Sequence, residues 1–280
     1  MLEVEQWPAL REPVMLVALT GWVDGGLAGT GTLAAIAEAL ESPRRFASID
    51  LADLLDLQQT RPSVTLVDGV TREIEWPSID LVAGHAGCDV IIVAGPEPSV
   101  RWRDVTAELV QVAQQLDVKL AVTLGGMPAP VSHRRPVPVL ATASSRSVAQ
   151  EVGALRTDYI GPTGAQTVLQ VALGQAGIRT VGFWAQVPHY VAATPSPPAI
   201  RALLERLREV AGLTVDLRAL DEQSDAYLER VEEGLSERPD VADMVRQLET
   251  ATGEDEAVSG EDLAREIERF LRRRDDGENA

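Results

Sequence analysis

Short apolar runs alternate with amphipathic stretches between Val14 and Val187. Four runs have the length and composition of buried strands, at Val14–Thr20, Asp89–Ala94, Val118–Leu124 and Thr180–Val187. Stretches such as Gly26–Leu40 and Arg101–Leu116 lie between them and place apolar residues at helical spacing. Strands that alternate with helices in this way predict an α/β fold with a mostly parallel sheet covered on both faces.

A β-hairpin is predicted within this alternation, at residues 63–76. The segments Val64–Val67 and Val70–Trp76 flank Asp68-Gly69, a dipeptide that is typical of a type I′ turn. Exposed hairpins of this kind often pair or pack with other chains. We therefore expect the hairpin to be an insertion that serves assembly.

The pattern becomes wholly helical after Pro195-Ser196-Pro197-Pro198. Amphipathic segments are predicted at Ala199–Val210, Leu217–Glu233, Val241–Leu248 and Leu263–Arg273. These segments suggest a division into an α/β core at residues 1–198 and an acidic helical region at residues 199–280. The helical region is a candidate lid over the core, with a frayed tail.

Three short sequences have the spacing of a capping box, in which side chains satisfy amide N–H groups at a helix start. They are Ser147–Gln150, Thr163–Gln166 and Ser259–Asp262. Each predicts that a helix begins at that point.

The charge balance excludes several classes of partner. The net charge is -18 over 280 residues, and residues 216–280 carry 21 Asp and Glu against 9 Arg, a net of -12. Nucleic acids and anionic membranes need clustered basic residues, so we expect neither as a partner. No apolar run approaches the roughly 20 residues that span a bilayer. We expect no signal peptide, because Met1–Pro8 is acidic and short. With Cys88 as the only cysteine, these features favour the cytoplasm.

The lysine content restricts the classes of enzyme that this chain can belong to, since Lys119 is the only lysine. Schiff-base enzymes and Walker-A nucleotide binders need a lysine at the site, whereas Lys119 precedes an apolar strand in a predicted surface turn. The first turn, Gly21–Gly26, also lacks a P-loop or dinucleotide-binding fingerprint. We expect no cofactor and no metal, because His85 and Cys88 supply only two ligands.

Unusual residues follow most of the predicted strands, where the carboxyl ends of parallel strands form a crevice. Glycines there admit a ligand to the backbone, and aromatic rings supply apolar walls. The candidate ligand-binding residues are Gly21, Trp22, Asp24, Gly25, Gly95, Glu97, Gly125, Gly126, Met127, Gly161, Thr163, Gly164, Trp184, His189 and Tyr190.

Glu97 is the best candidate for a catalytic acid or base, because Pro96 and Pro98 hold it stiffly. Its favoured structural alternative is a carboxylate at a helix N-terminus that is paired with an arginine. Asp24 has a similar alternative as the cap of the first helix. His189 is the best candidate among the histidines, although a structural histidine is favoured over a base. His133, beside two arginines, is expected at the surface.

Five blocks together resemble the PAC2 family, the group related to proteasome assembly chaperones, and specifically its actinobacterial branch. They are GWVDGG (residues 21–26), GPEP (95–98) followed by Trp102, TLGGMPAPVSHRRPVPV (123–139), YIGPTG (159–164) and WAQVPHYVAATPSP (184–197). The resemblance implies a nucleoside-phosphorylase-like three-layer core and homo-oligomerisation. The eukaryotic and archaeal relatives are chaperones or assembly factors of the 20S proteasome. This chain ends in Glu278-Asn279-Ala280 rather than in the hydrophobic-Tyr-X tail of some such helpers. Docking by that route is therefore not expected.

Three functional hypotheses follow. The first is a non-catalytic assembly chaperone or ligand-binding protein that forms a homo-oligomer, with a trimer favoured and proteasome subunits as candidate partners. The second is a small-molecule hydrolase or phosphorylase-like enzyme with Glu97 as acid or base and Trp22 and Trp184 as a platform. Gly125, Gly126 and Thr163 would be its hydrogen-bond donors. The third is a structural scaffold with an empty crevice.

Overall fold

The structure is a computed structural model that describes residues 2–22, 24–154 and 159–251. The predicted capping box Ser259–Asp262 and the helix predicted at Leu263–Arg273 lie outside the described residues. Ten strands are present in the described part: β1 Leu2–Val4, β2 Val14–Thr20, β3 Glu41–Asp50, β4 Ser63–Val67, β5 Val70–Glu75, β6 Ser78–His85, β7 Asp89–Pro96, β8 Leu120–Ala129, β9 Val139–Ala143 and β10 Arg179–Pro188. Seven α-helices accompany them: α1 Ala28–Ala39, α2 Trp102–Gln115, α3 Arg146–Glu151, α4 Ala165–Gln175, α5 Pro197–Ala211, α6 Arg218–Ser236 and α7 Pro239–Ala251.

Eight of these strands form one mixed sheet in the order β1-β3-β6-β7-β2-β8-β10-β9. The four central strands, β7, β2, β8 and β10, run parallel to one another. The outer pairings β1–β3, β3–β6, β6–β7 and β9–β10 are antiparallel. The parallel centre predicted from the apolar runs is confirmed.

Helices cover both faces of the central strands, which makes three layers. Alternate residues of β2 point to opposite faces, so Leu16 packs in the core with α1 and α5 and Met15 packs in the core with α2 and α4. Helix α5 buries Leu203 and Leu207 in the same core as Leu33 of α1. The three-layer α/β core is confirmed, and the domain division at residue 198 remains a prediction.

The hairpin forms where it was predicted, as a separate two-stranded sheet of β4 and β5. Asp68 and Gly69 have φ values of 51° and 73°, the left-handed conformations that a type I′ turn requires. Every residue of both strands is exposed. The hairpin therefore packs little of its surface against the rest of the described chain.

Several local predictions were wrong. No strand is predicted between Trp76 and Asp89, yet β6 occupies Ser78–His85. Helix α3 is capped by the Ser145 hydroxyl, which accepts the amide hydrogen of Val148, instead of by Ser147.

No helix in the described ranges combines the length and apolar content needed to cross a membrane.

Candidate functional site

Asp24 caps the first helix from the turn that follows β2. Its Oδ1 accepts the amide hydrogens of Gly29 at 2.8 Å and Thr30 at 3.2 Å, and its Oδ2 accepts the Thr30 hydroxyl. The residue is 5% exposed. Burial raises the pKa of Asp24, and the hydrogen bonds from Thr30 and Gly29 oppose that rise. This geometry matches the structural alternative for Asp24.

The glycines of the first turn pack directly against strand β8. Asp24 forms a parallel bridge with Gly126, and a Cβ on Gly126 would collide with the carbonyl oxygen of Gly25. Gly26 has a φ of 65°, and its amide donates to Ala192 at 2.7 Å. The close backbone approach that glycine permits is thus made by the chain's own turn, at the point where β2 and β8 diverge.

Glu97 lies at the N-terminus of helix α4. Its Oε1 accepts the amide hydrogen of Ala165 at 2.6 Å, across 68 residues of sequence. Gly21 has a φ of 142° and lies against Glu97, so that a Cβ at Gly21 would be 3.3 Å from that of Glu97. The predicted capping box Thr163–Gln166 does not form, because Gly164 is the N-cap residue and Glu97 supplies the carboxylate. The structure thus has the helix N-terminal position that the structural alternative for Glu97 requires, while its pairing with an arginine remains a prediction.

Gln166, the fourth residue of that expected box, is fully buried instead. It accepts the amide hydrogen of Leu19 at 3.2 Å and donates to the carbonyl of Leu124 at 3.3 Å. Its carboxamide therefore links β2 to β8 across the sheet.

The remaining candidate residues are spread along the carboxyl edge of the sheet. Trp184 is 7% exposed and pairs in register with Gly125. It therefore lies within the sheet, whereas it was expected to line an open crevice. Gly95 packs against the backbone of Ser78 in β6. Four others are exposed or half-buried: Trp22, Met127, Gly161 and Thr163. Their role in ligand binding remains a prediction.

His189 and Tyr190 follow strand β10, and their rings meet edge to face at 5.5 Å. The amide of His189 donates to the carbonyl of Ala129 at 3.1 Å, which joins the loops after β8 and β10. The Tyr190 hydroxyl lies 2.7 Å from Nδ1 of His133 and accepts the His133 amide hydrogen at 3.0 Å.

His133 was expected at the surface, and this expectation was wrong. Its side chain is 2% exposed, and its Nε2 lies 3.0 Å from Oε1 of Glu232 in helix α6. A neutral ring that donates from Nε2 to Glu232 and accepts the Tyr190 hydroxyl at Nδ1 satisfies both contacts. No local sequence signal marks this residue, because its partners lie 57 and 99 positions away.

Arg134 extends this cluster to helix α7. Its guanidinium binds Glu232 through two hydrogen bonds of 2.5 and 2.8 Å, and its Nη1 lies 3.1 Å from Glu249. Hydrogen bonding to Arg134 lowers the pKa of Glu232 to about 2. We call Tyr190, His133, Arg134, Glu232 and Glu249 the clamp cluster, since it ties α6 and α7 to the carboxyl edge of the sheet.

A groove of about 750 Å³ lies beside the clamp cluster. The loop after β10 lines one side with Tyr190 and Val191, and helix α6 lines the other with Tyr227 and Arg230. Burial raises the pKa of both tyrosines, so their hydroxyls stay protonated at neutral pH.

Metal chemistry gains no support from the described residues. No group of three His, Cys, Asp or Glu side chains in residues 2–22, 24–154 and 159–251 is placed to hold a metal ion. His85 pairs instead with Asp89 at 2.9 Å, and burial raises the pKa of Cys88.

These features define a three-layer α/β protein. Its first turn packs into the switch point of the sheet, which is the place where strands β2 and β8 diverge. A hairpin projects from the protein, and the clamp cluster holds helices α6 and α7 to the edge of the sheet. The PAC2 family model matches residues 18–235, and the chain belongs to the PAC2 family.

Two similar solved structures come from actinobacteria. The proteasome-assembly chaperone homologue Rv2125 of Mycobacterium tuberculosis is 38% identical, with 83% of this chain and 99% of that chain covered and a TM-score of 0.76. A PAC2 family protein of Streptomyces avermitilis is also 38% identical, with 79% and 95% covered and a TM-score of 0.74. The match to the actinobacterial branch is confirmed.

A more distant structure shares the fold. PbaB of Pyrococcus furiosus, an archaeal proteasome activator, is 18% identical, with 83% of this chain and 97% of that chain covered and a TM-score of 0.68. A search of curated proteins finds no match to this chain.

Proposed function

We propose that this chain is a non-catalytic, homo-oligomeric assembly chaperone that acts on a proteasome particle in the cytoplasm. The observation that carries the proposal is the hairpin. Val64, Leu66 and Ile74 are 55%, 61% and 52% exposed, although they share one face of a two-stranded sheet. An isolated hairpin is marginally stable in water, so a second surface that covers this face is expected.

The geometry of the switch point supports a role without catalysis. Crevices at switch points of parallel sheets usually hold ligands. Here the turn Gly25–Leu27 occupies the space against Gly126, and the two best carboxylates, Asp24 and Glu97, cap helices.

The relatives support the choice of partner. One similar chain is a proteasome-assembly chaperone homologue, and another that shares the fold is an archaeal proteasome activator. We therefore propose that this protein also binds a proteasome particle, and we favour a homotrimer as its oligomeric state.

The oligomer is tested by placing a charge on the apolar face. Leu66→Asp should reduce the mass measured by multi-angle light scattering to that of one subunit, because burial of an unpaired carboxylate in an interface is costly. Thr65→Asp is the matched control, since Thr65 pairs with Glu73 on the opposite face. Equal masses for the parent and Leu66→Asp would contradict the role of the hairpin.

The chaperone activity is tested with purified α and β subunits of an actinobacterial 20S proteasome. The parent protein should increase the rate or yield of assembled particles on native gels, and Leu66→Asp should not. An assembly time course that the parent leaves unchanged would refute the chaperone function and leave the oligomer as a separate finding.

A further inference from the structure

The groove of about 750 Å³ beside the clamp cluster, which we call the α6 groove, has the size of a small-molecule site. Ligand pockets in proteins usually have volumes of about 300–1,000 Å³. Aliphatic side chains from the loop after β10 and from helices α6 and α7 form much of the wall: Val191, Val231, Leu235 and Val241. Leu235 is buried and the three valines are half-buried, so the groove offers an apolar wall inside a concave surface.

The wall of the groove is lowest at Gly234, which belongs to helix α6. Among the described residues, no atom beyond the adjacent turns of that helix lies within 4 Å of the position that a Cβ would take there. An apolar group in the groove can therefore lie directly against the helix at this point.

The charged side chains of the groove favour an anionic ligand. Arg230 and Arg238 line it together with Glu237, so two positive charges face one negative charge in a chain whose net charge is -18. Arg230 takes part in none of the ion pairs found among the described residues. Arg238 lies 3.3 Å from the carboxylate of Asp240, but both side chains are exposed, and exposed pairs contribute little. Arg230 is therefore the guanidinium best placed to bind a ligand.

A smaller polar pocket adjoins the groove at Tyr227, which lines both. Its volume is about 10 Å³, enough for a single water-sized group. Two buried atoms of residues on its wall, the Tyr227 hydroxyl oxygen and Nε2 of Gln186, have no hydrogen-bond partner among the described residues. Burial raises the pKa of Tyr227, and the nearby hydroxyls of Ser196 and Thr194 only oppose that rise, so its hydroxyl stays protonated and able to donate. Two buried donors without partners favour a ligand that brings an oxygen acceptor.

We propose that the α6 groove binds a small amphipathic organic anion. Its carboxylate or phosphate group lies between the Arg230 guanidinium and the Tyr227 hydroxyl, and its apolar chain lies along the valine wall in front of Gly234. A guanidinium suits either head group, because its planar N–H donors can pair with two oxygens at once. The inference is independent of the proposed function, because it uses neither the hairpin nor the oligomer.

Isothermal titration calorimetry of the full-length protein tests the site with octanoate, octyl phosphate and octanol as probes. At least one of the two anions should bind with one molecule per subunit, and the tighter of the two identifies the preferred head group. Octanol has the same chain without a charge and should bind at least about tenfold more weakly. Arg230→Gln should weaken binding of the anion by about tenfold or more.

Arg103→Gln is the matched control for the loss of one positive charge. Arg103 is exposed on helix α2, in the other helical layer, and also takes part in no ion pair found among the described residues. This variant should bind the anion as the parent does.

Gly234→Leu tests the position of the apolar chain. The leucine side chain should fill the groove without a clash, since the Cβ position is open, and should abolish binding of the anion. A bound ligand stabilises the folded state by mass action, so the tighter anion should raise the Tm of the parent and of Arg103→Gln but not that of Gly234→Leu. Circular dichroism of each variant confirms that it is folded.

Four results would overturn the inference. Equal affinity of the anion for the parent and for Arg230→Gln would remove the proposed head-group contact. Binding that survives Gly234→Leu would locate the ligand on another surface. Octanol that binds as tightly as the anions would indicate an apolar surface without selectivity for charge. The absence of both heat and a Tm shift with all three probes would refute a site for this class of ligand.

Discussion

Replacement of Gly126 by alanine tests whether the first turn fills the switch point of the sheet. The new Cβ would lie 2.9 Å from the Cβ of Ala28 and would collide with the carbonyl of Gly25. Carbon atoms that are not bonded to each other pack at about 3.5–4.0 Å. The turn and strand β8 must therefore move apart by at least about half an ångström to relieve the contact with Ala28.

The expected loss of stability is large. Overpacking of a dense core costs about 1–3 kcal/mol. Displacement of the turn also strains the buried hydrogen bonds of Asp24, which are of the charge-assisted kind worth about 1.5–3 kcal/mol each. We expect Gly126→Ala to lower the free energy of unfolding by about 3 kcal/mol, which corresponds to a fall of about 6–12 °C in Tm.

Differential scanning calorimetry measures this loss, with Gly234→Ala as the control. Gly234 lies in helix α6, and among the described residues no atom beyond the adjacent turns of that helix lies within 4 Å of the position of its Cβ. Alanine should raise stability there by about 1 kcal/mol. A Gly126→Ala protein that melts within about 2 °C of the parent would refute the backbone contact and favour a space kept open for a ligand.

Three further predictions concern the carboxylates Asp24, Glu97 and Glu232. Asp24→Ala should cost about 2–3 kcal/mol in urea unfolding, since it leaves buried amide hydrogens unpaired, and a loss below about 1 kcal/mol would contradict the cap. Glu97→Gln should keep stability within about 1 kcal/mol because an amide oxygen can still accept from Ala165, while Glu97→Ala should cost about 1–2 kcal/mol. The hydrogen bonds from Arg134 lower the pKa of Glu232 from its ordinary 4.5 to about 2. The ion pair between Arg134 and Glu232 therefore stabilises the fold fully above pH 4.5, and this stabilisation is lost as the pH falls through 2. The protection factors of the α6 amides, which correct for the intrinsic pH dependence of hydrogen exchange, should fall over that window. A Glu232→Gln protein with the same pH profile would contradict the clamp.

The elements that the sequence predicts well are those defined by local patterns. The hairpin follows from Asp68-Gly69 between two alternating segments, and its turn needs no distant contact. The central strands follow from continuous apolar runs such as Val14–Thr20, which only a sheet covered on both faces can bury. Strand β6 carries a readable signal too, since Ile79, Leu81 and Ala83 alternate with less buried residues.

The contacts that the sequence does not predict join residues that lie far apart along the chain. Thr163–Gln166 has the spacing of a capping box, yet Glu97 occupies the N-terminus of α4 from 68 positions away and Gln166 turns into the core. His133 lies between a proline-rich loop and two arginines, a context that is typical of a surface. Only the docking of α6 brings Glu232 to it and removes its ring from water.

The glycine-rich turn illustrates why a ligand site and a packing site look alike in sequence. Both need residues without a Cβ where two backbones, or a backbone and a ligand, approach closely. Gly25 and Gly126 meet each other, which no property of either segment alone can indicate. The pattern predicts the close approach correctly and leaves the approaching group open.

The contacts that stabilise the fold and the surface proposed for assembly are separate in this molecule, and this separation makes the proposed function testable. Gly126 is buried where the turn meets β8, whereas the 61% exposure of Leu66 means that aspartate there meets water in an isolated subunit. Leu66→Asp should therefore remove the oligomer while the subunit keeps its secondary structure and cooperative unfolding. Gly126→Ala should destabilise each subunit without changing the apolar face of the hairpin. If Leu66→Asp instead unfolds the subunit, the hairpin belongs to the core, and the case for an assembly surface on its apolar face fails.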